Sequence, residues 1–86
     1  MNYCIHLKKQ ARKFISLQPK TQQEKLLKAI NKLPIQGDIK PLAGHEGKFR
    51  LRVGDYRVIY IIEDEILLIT VVNVGNRGQI YKNLRK

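Results

Sequence analysis

The chain has 86 residues and a formal net charge of +10, from 17 Lys and Arg against 7 Asp and Glu. That length suits one domain, 1–86, with a modest core. Its cations, spread along the whole sequence, favour nucleic acid or, alternatively, an acidic protein or membrane surface as partner. The longest apolar run, Ile66–Val72, covers seven residues, holds Thr70 and is too short to span a bilayer. The single cysteine, Cys4, excludes an intramolecular disulfide framework. With no apolar leader core in view, the expected compartment is the reducing cytoplasm.

In chain order, Asn2–Leu7 alternates Tyr3, Ile5 and Leu7 against Cys4 and His6, the pattern of a short half-buried strand. Cys4 is expected there as a small buried hydrophobe, and His6 as structural. Lys8–Gln18 changes period, with Ala11, Phe14 and Ile15 at helical spacing, and Pro19 ends or interrupts that helix. Thr21-Gln22-Gln23-Glu24 has the spacing of a capping box at the start of a second helix. Leu26, Leu27, Ile30 and Leu33 are its apolar stripe, and Pro34 closes it. Pro34–Gly47 is rich in Pro and Gly, with turn signals at Gly37-Asp38 and Lys40-Pro41, and reads as a loop.

From Lys48 the period becomes two, with Phe49, Leu51 and Val53 facing one way and Lys48, Arg50 and Arg52 the other. Gly54-Asp55 is a two-residue hairpin signal leading into Tyr56–Ile62. That turn places Val53 opposite Tyr56 and Arg52 opposite Arg57. Tyr56 and Tyr60 then fall on the core side with Phe49. Glu63-Asp64-Glu65 makes an acidic turn. Ile66–Val74, nearly continuous in Ile, Leu and Val, predicts a strand buried on both faces and central in its sheet. Gly75-Asn76-Arg77-Gly78 turns the chain, and Gln79–Leu84 would form a short helical turn carrying Tyr81. The expected fold class is α+β, β-α-α-β-β-β with a short final helix. Its N-terminal helical hairpin packs on a mainly antiparallel four-stranded sheet.

Like charges directly opposite each other on a sheet destabilise by roughly a few tenths to about 1 kcal/mol per pair. The Arg52/Arg57 pair, continued by Arg50 and Lys48, therefore points either to splayed, solvated arginines or to a phosphate between them, which guanidinium groups bind in bidentate fashion. The phosphate reading is preferred. The sequence offers no metal-binding Cys/His cluster, since His6 and His45 are the only histidines, no Ser/His/Asp triad around its sole Ser16, and no nucleotide-binding Gly-rich loop. His45 reads as a solvated loop residue, or as a general-base candidate within reach of substrate. What remains is a cationic constellation without acids. Such a site can cleave RNA, because the 2′-hydroxyl is an internal nucleophile that needs only alignment, charge stabilisation and proton movement.

Gly54-Asp55-Tyr56-Arg57-Val58-Ile59-Tyr60, then Val74-Gly75-Asn76-Arg77 and Ile80-Tyr81, together resemble the signature of RelE-type toxins in the RelE/ParE superfamily. Gly37-Asp38-Ile39-Lys40-Pro41-Leu42 resembles the loop before that family's second strand. The resemblance spans nearly the whole chain. It implies a toxin of a type II toxin–antitoxin system that cuts mRNA in the ribosomal A site, without metal or cofactor, by attack of the 2′-hydroxyl. By position, Arg57 and Arg77 would hold the scissile phosphate. Arg50 would act as an electrostatic stabiliser, because arginine is a poor proton donor, and Lys48 is a candidate proton donor. Tyr81 would stack on a base or help activate the 2′-hydroxyl. Arg52, Asn76, Lys82 and Arg85 are assigned to RNA or ribosome contact. Many relatives carry histidine where this chain has Asn76, an amide that cannot serve as a general base near neutral pH. Implied partners are the ribosome, mRNA and a cognate antitoxin that folds on binding and meets the positive charge with acidic residues, the pair binding operator DNA through the antitoxin. Tyr81 as a lid over the sheet and Arg77 as a contact for a nearby chain end are the plainer alternatives. Two other functions stay open: a ParE-like inhibitor of DNA gyrase without nuclease activity, and a basic binding module without activity, to which Asn76 lends weight.

Overall fold

The structure, a computed structural model, describes residues 3–42, 44 and 47–78. Eight elements follow one another: β1 (Cys4–Leu7), α1 (Lys9–Ser16), α2 (Lys20–Ile30), β2 (Asp38–Pro41), β3 (Lys48–Val53), β4 (Tyr56–Glu63), a single 3-10 turn (Asp64–Ile66) and β5 (Leu68–Asn76). The strands form one sheet in the order β1-β5-β4-β3-β2. All neighbours are antiparallel except β1 and β5, which run parallel. The class is α+β as expected, with five strands rather than four. The added strand is β2, which lies inside the segment read as a loop. Its backbone pairs with β3 from Asp38 opposite Arg52 to Pro41 opposite Phe49. Pro41 is tolerated because β2 is an edge strand.

Both helices pack on one face of the sheet. Ala11 and Ile15 of α1, Leu26 and Ile30 of α2 and the following Leu33 meet Leu51, Val53, Val58, Tyr60, Ile69, Val71 and Val74 in a single core. Leu27, predicted in the apolar stripe, lies at its margin and is 39% exposed, because Leu26, Ile30 and Leu33 already define the buried line. The expected capping box does not form. The helix begins two residues earlier than that box implies, at Lys20, with Pro19 in the capping position and no side-chain cap, so Thr21 lies within the first turn. Proline is pre-organised for a helix start, and its fixed φ sets the boundary ahead of Thr21. Cys4 is exposed rather than buried, since the strand alternation that turns Ile5 and Leu7 inward leaves position 4 on the outer face.

The helical hairpin is tied together by glutamines. Gln23 Nε2 donates to the carbonyls of Gln18 and Ser16 at 2.8 and 3.3 Å, satisfying orphan acceptors at the end of α1. The Tyr56 hydroxyl donates to Gln18 Oε1 at 2.9 Å, so the start of β4 is held to the helix layer. Phe14 meets Tyr56 edge-on at 6.0 Å between ring centroids, and Phe49 stacks on Tyr60 at 5.7 Å. Such aromatic pairs add about 0.5–1.5 kcal/mol each beyond their buried area. Tyr56 and Tyr60 are thus core residues, as their alternation predicts.

The last strand starts two residues later than predicted, since Ile66 belongs to the 3-10 turn, and it carries a bulge. Ile59 pairs with Asn73 and Tyr60 with Val71, leaving Val72 as the extra residue. Gln10 of α1 donates to the freed Val72 carbonyl at 2.6 Å. The bulge keeps both Val71 and Val74 on the helix side and turns Gly75 to the other face, directly opposite Arg57. β5 is an interior strand, while β4, with four consecutive buried residues, is the middle of the sheet.

Candidate nucleic-acid interface

The face of the sheet away from the helices carries the cations. The Gly54-Asp55 turn closes β3 and β4 with Gly54 at φ 59°, a conformation that suits glycine. Arg52 therefore lies opposite Arg57, as predicted. The same alternation puts Lys48 opposite Ile61 and Arg50 opposite Ile59. Ile59 is fully buried yet stands apart from the main core, beneath this cationic layer.

Arg57, Arg50, Arg52 and Arg77 line one open groove of about 670 Å³ with Asp38, Lys40 and Gly78. Arg57 is only 7% exposed. Its Nη1 donates to the carbonyls of Gly54 and Tyr56, both at 2.9 Å, which fixes the guanidinium at the hairpin end of the groove. Among the described residues no carboxylate pairs with it. Arg77 is brought alongside by its backbone N–H, which donates to the Asp55 carbonyl at 2.8 Å, while the residue itself stays exposed.

The groove is not free of acids, contrary to the sequence reading. Asp38 Oδ2 accepts from Arg52 Nε at 2.6 Å, and Oδ1 lies 3.5 Å from Arg50 Nη2. The cause is β2: once Asp38–Pro41 pairs with β3, Asp38 and Lys40 share the cationic face while Ile39 points to the core side. Asp38 and Lys40 were legible only as turn residues, although their alternation around Ile39 is itself a strand signal. Lys48 shares the face but lies farther along β3, away from the groove lining. Asn76 ends β5 opposite Tyr56, on the helix-side alternation, and does not line the groove. Tyr81, Lys82, Arg85 and His45 lie outside the described residues. Among the described residues, no group of His, Cys, Asp and Glu is placed to hold a metal ion.

One guanidinium fixed by backbone carbonyls, two tied to a single carboxylate and a fourth exposed beside them make a groove that can accept a polyanion and can stabilise charge developing on a phosphate. The sequence profile described as the ParE toxin of type II toxin–antitoxin systems, parDE, matches residues 6–81. The chain belongs to this toxin family. Solved structures agree on the fold. The toxin is similar to a chain of the archaeal RelE–RelB complex from Pyrococcus horikoshii, with 28% identity and a TM-score of 0.76 over 92% of this chain and 99% of that one. It is similar to a chain of the RelBE2 toxin–antitoxin complex of Mycobacterium tuberculosis, with 25% identity and a TM-score of 0.75 over 90% and 100% of the two chains. A free-state variant of the Escherichia coli toxin RelE matches at 25% identity and a TM-score of 0.72, over 95% and 93%. No curated protein sequence matches it. The toxin is thus a member of the RelE/ParE superfamily with a RelE-like fold.

Proposed function

We propose that this toxin is a ribosome-dependent endoribonuclease, acting in the cytoplasm, that cleaves mRNA in the A site and so inhibits translation. The observation that carries the reading is Arg57. A guanidinium that is 7% exposed, held by two backbone carbonyls and facing Arg52 across the sheet, is short of negative charge, and a phosphate in the groove supplies it. In the reaction the 2′-oxygen forms a bond to the adjacent phosphorus and the bond to the 5′-oxygen breaks, leaving a cyclic phosphate and a 5′-hydroxyl. Arg57 and Arg77 hold the nonbridging oxygens as charge builds, and Arg50 adds to the field. Lys48 is the donor to the leaving oxygen by the resemblance to RelE-type toxins alone; it shares the face but stands farther along β3 than the groove lining, so its side chain has to reach back along the strand. Tyr81 enters through the resemblance to RelE-type toxins, as the residue that stacks on the base or assists the 2′-hydroxyl.

The similarity to chains of RelE–RelB complexes supports a cognate antitoxin as inhibitor, with acidic residues meeting the surplus of cations. A second reading, a ParE-like gyrase inhibitor without nuclease activity, is favoured by the family profile. The basic strand face with Arg77 weighs against it. Each positioned donor to a developing oxyanion contributes about 10²–10³ in rate. Arg57→Ala and Arg77→Ala should each relieve growth arrest and cut mRNA cleavage by about that factor, with the fold retained by circular dichroism. Primer extension on mRNA after brief expression, beside a supercoiling assay, separates the readings. Supercoiling inhibition without cleavage ends, or full toxicity of both variants, rejects the nuclease.

A further inference from the structure

A second groove, of about 400 Å³, runs on the helix side of the sheet, between α2 and the ends of β3 and the chain entering β2. Lys25, Lys28 and Lys32 rim it from α2 and the turn that follows, and Arg52 rims it from β3. Lys25 and Lys28 are three apart, hence on one helix face. From Lys25 to Lys32 a helix rises about 10 Å. All three lysines are exposed, and no acidic residue lines the groove. Among the described residues none of the three forms an ion pair. Lys25 Nζ hangs over the β3–β4 turn, 3.4 Å from where a Cβ on Gly54 would stand.

Arg52 lines both this groove and the groove that holds Arg57 and Arg77. Its Nε is engaged by Asp38, yet its side chain is 55% exposed at the crest between the two. We infer that the lysine groove holds the sugar–phosphate backbone of the same RNA strand that enters the cationic groove, the strand crossing the end of β3 at Arg52. An amphipathic protein segment is the competing occupant; the groove's rim of three lysines and Arg52, with no acidic residue in its lining and with Arg52 shared with the cationic groove, favours a continuous polyanionic backbone instead. A backbone needs only the rim of cations, which gives affinity without sequence preference.

The inference rests on RNA being the ligand of the cationic groove, and its test reads binding separately from cleavage. Two single-stranded RNAs, made uncleavable by 2′-deoxy substitution, are titrated into free toxin by fluorescence anisotropy across a range of salt. One is long enough to reach both grooves, the other only a trinucleotide. The triple variant Lys25→Gln, Lys28→Gln, Lys32→Gln should flatten the log–log salt slope for the long RNA by about 2, at about 0.7 for each phosphate that is no longer neutralised. Trinucleotide binding should be unchanged, whereas Arg57→Ala should weaken both. An unchanged slope for the long RNA, equal loss for both lengths, or no RNA binding by the unaltered toxin overturns the inference. So does a variant that loses only ribosome or antitoxin affinity. If the slopes behave as expected but ribosomes yield no cleavage ends, the nuclease reading fails while this surface stands.

Discussion

Asp38→Asn separates stability from ligand affinity, because the carboxylate acts on the two in opposite directions. In the free toxin Asp38 holds Arg52 at 2.6 Å and lies near Arg50. The carboxylate and Arg52 are 38% and 55% exposed, so screened attraction between them contributes about 0.2–1 kcal/mol. It also offsets part of the Arg52/Arg57 repulsion, itself a few tenths to about 1 kcal/mol. The loss of charge should therefore cost about 1 kcal/mol, a fall in Tm of roughly 4–8 °C for a domain of this size. RNA affinity should rise, since a phosphate in the groove no longer faces the carboxylate. At a separation of about 6 Å in a water-like dielectric that repulsion is about 0.7 kcal/mol, a threefold gain. Thermal melting of the two proteins and anisotropy titration with uncleavable RNA at matched salt measure both quantities. An unchanged Tm, or weaker RNA binding by the Asn variant, would refute the reasoning.

Two further substitutions probe the frame under the groove. The Tyr60 hydroxyl is fully buried and has no hydrogen-bond partner among the described residues, and burial pushes its pKa up to about 12. Tyr60→Phe should be neutral or stabilising near pH 7, by up to about 1–3 kcal/mol, because an unsatisfied buried group is removed. Because the folded-state pKa lies above the ordinary value of 10.0, the neutral phenol's share of stability is complete below pH 10 and is lost as pH rises toward 12. Urea midpoints should therefore fall more steeply over that range in the unaltered toxin than in the Phe variant, and parallel curves would contradict the assignment. Gly37 precedes β2 at φ 130°, where a Cβ would stand 2.6 Å from Leu51 Cδ1. Gly37→Ala should cost at least about 1–3 kcal/mol and, by shifting Asp38, loosen β2; a urea midpoint equal to that of the unaltered toxin would rule this out.

The β3–β4 hairpin was legible because its signals are local and agree. Alternation from Lys48, a two-residue turn at Gly54-Asp55 and resumed alternation from Tyr56 leave one register, which puts Arg52 against Arg57. Arg57 and Arg77 line the same groove, although nothing in the sequence announces that two backbone carbonyls hold the Arg57 guanidinium or that the Asp55 carbonyl accepts from the Arg77 backbone N–H. β2 was hidden because four residues ending in proline carry a turn composition, and only the long-range partner β3 makes them a strand. Asp38 was missed with it. The Val72 bulge was equally invisible, since a run of aliphatic residues looks alike whichever face each takes. At Cys4 the strand alternation already gave the outward position, and a general expectation about cysteine overrode it.

The parallel pairing of β1 with β5 makes the first strand wait for the last. Cys4 to Leu7 line up with Leu68 to Val71, so during synthesis the earliest segment has no neighbour in the sheet until almost every other element has been made. Arg77, one residue past β5, takes its place at the same late stage. The sheet that carries the cationic groove is therefore whole only once its last strand has been made.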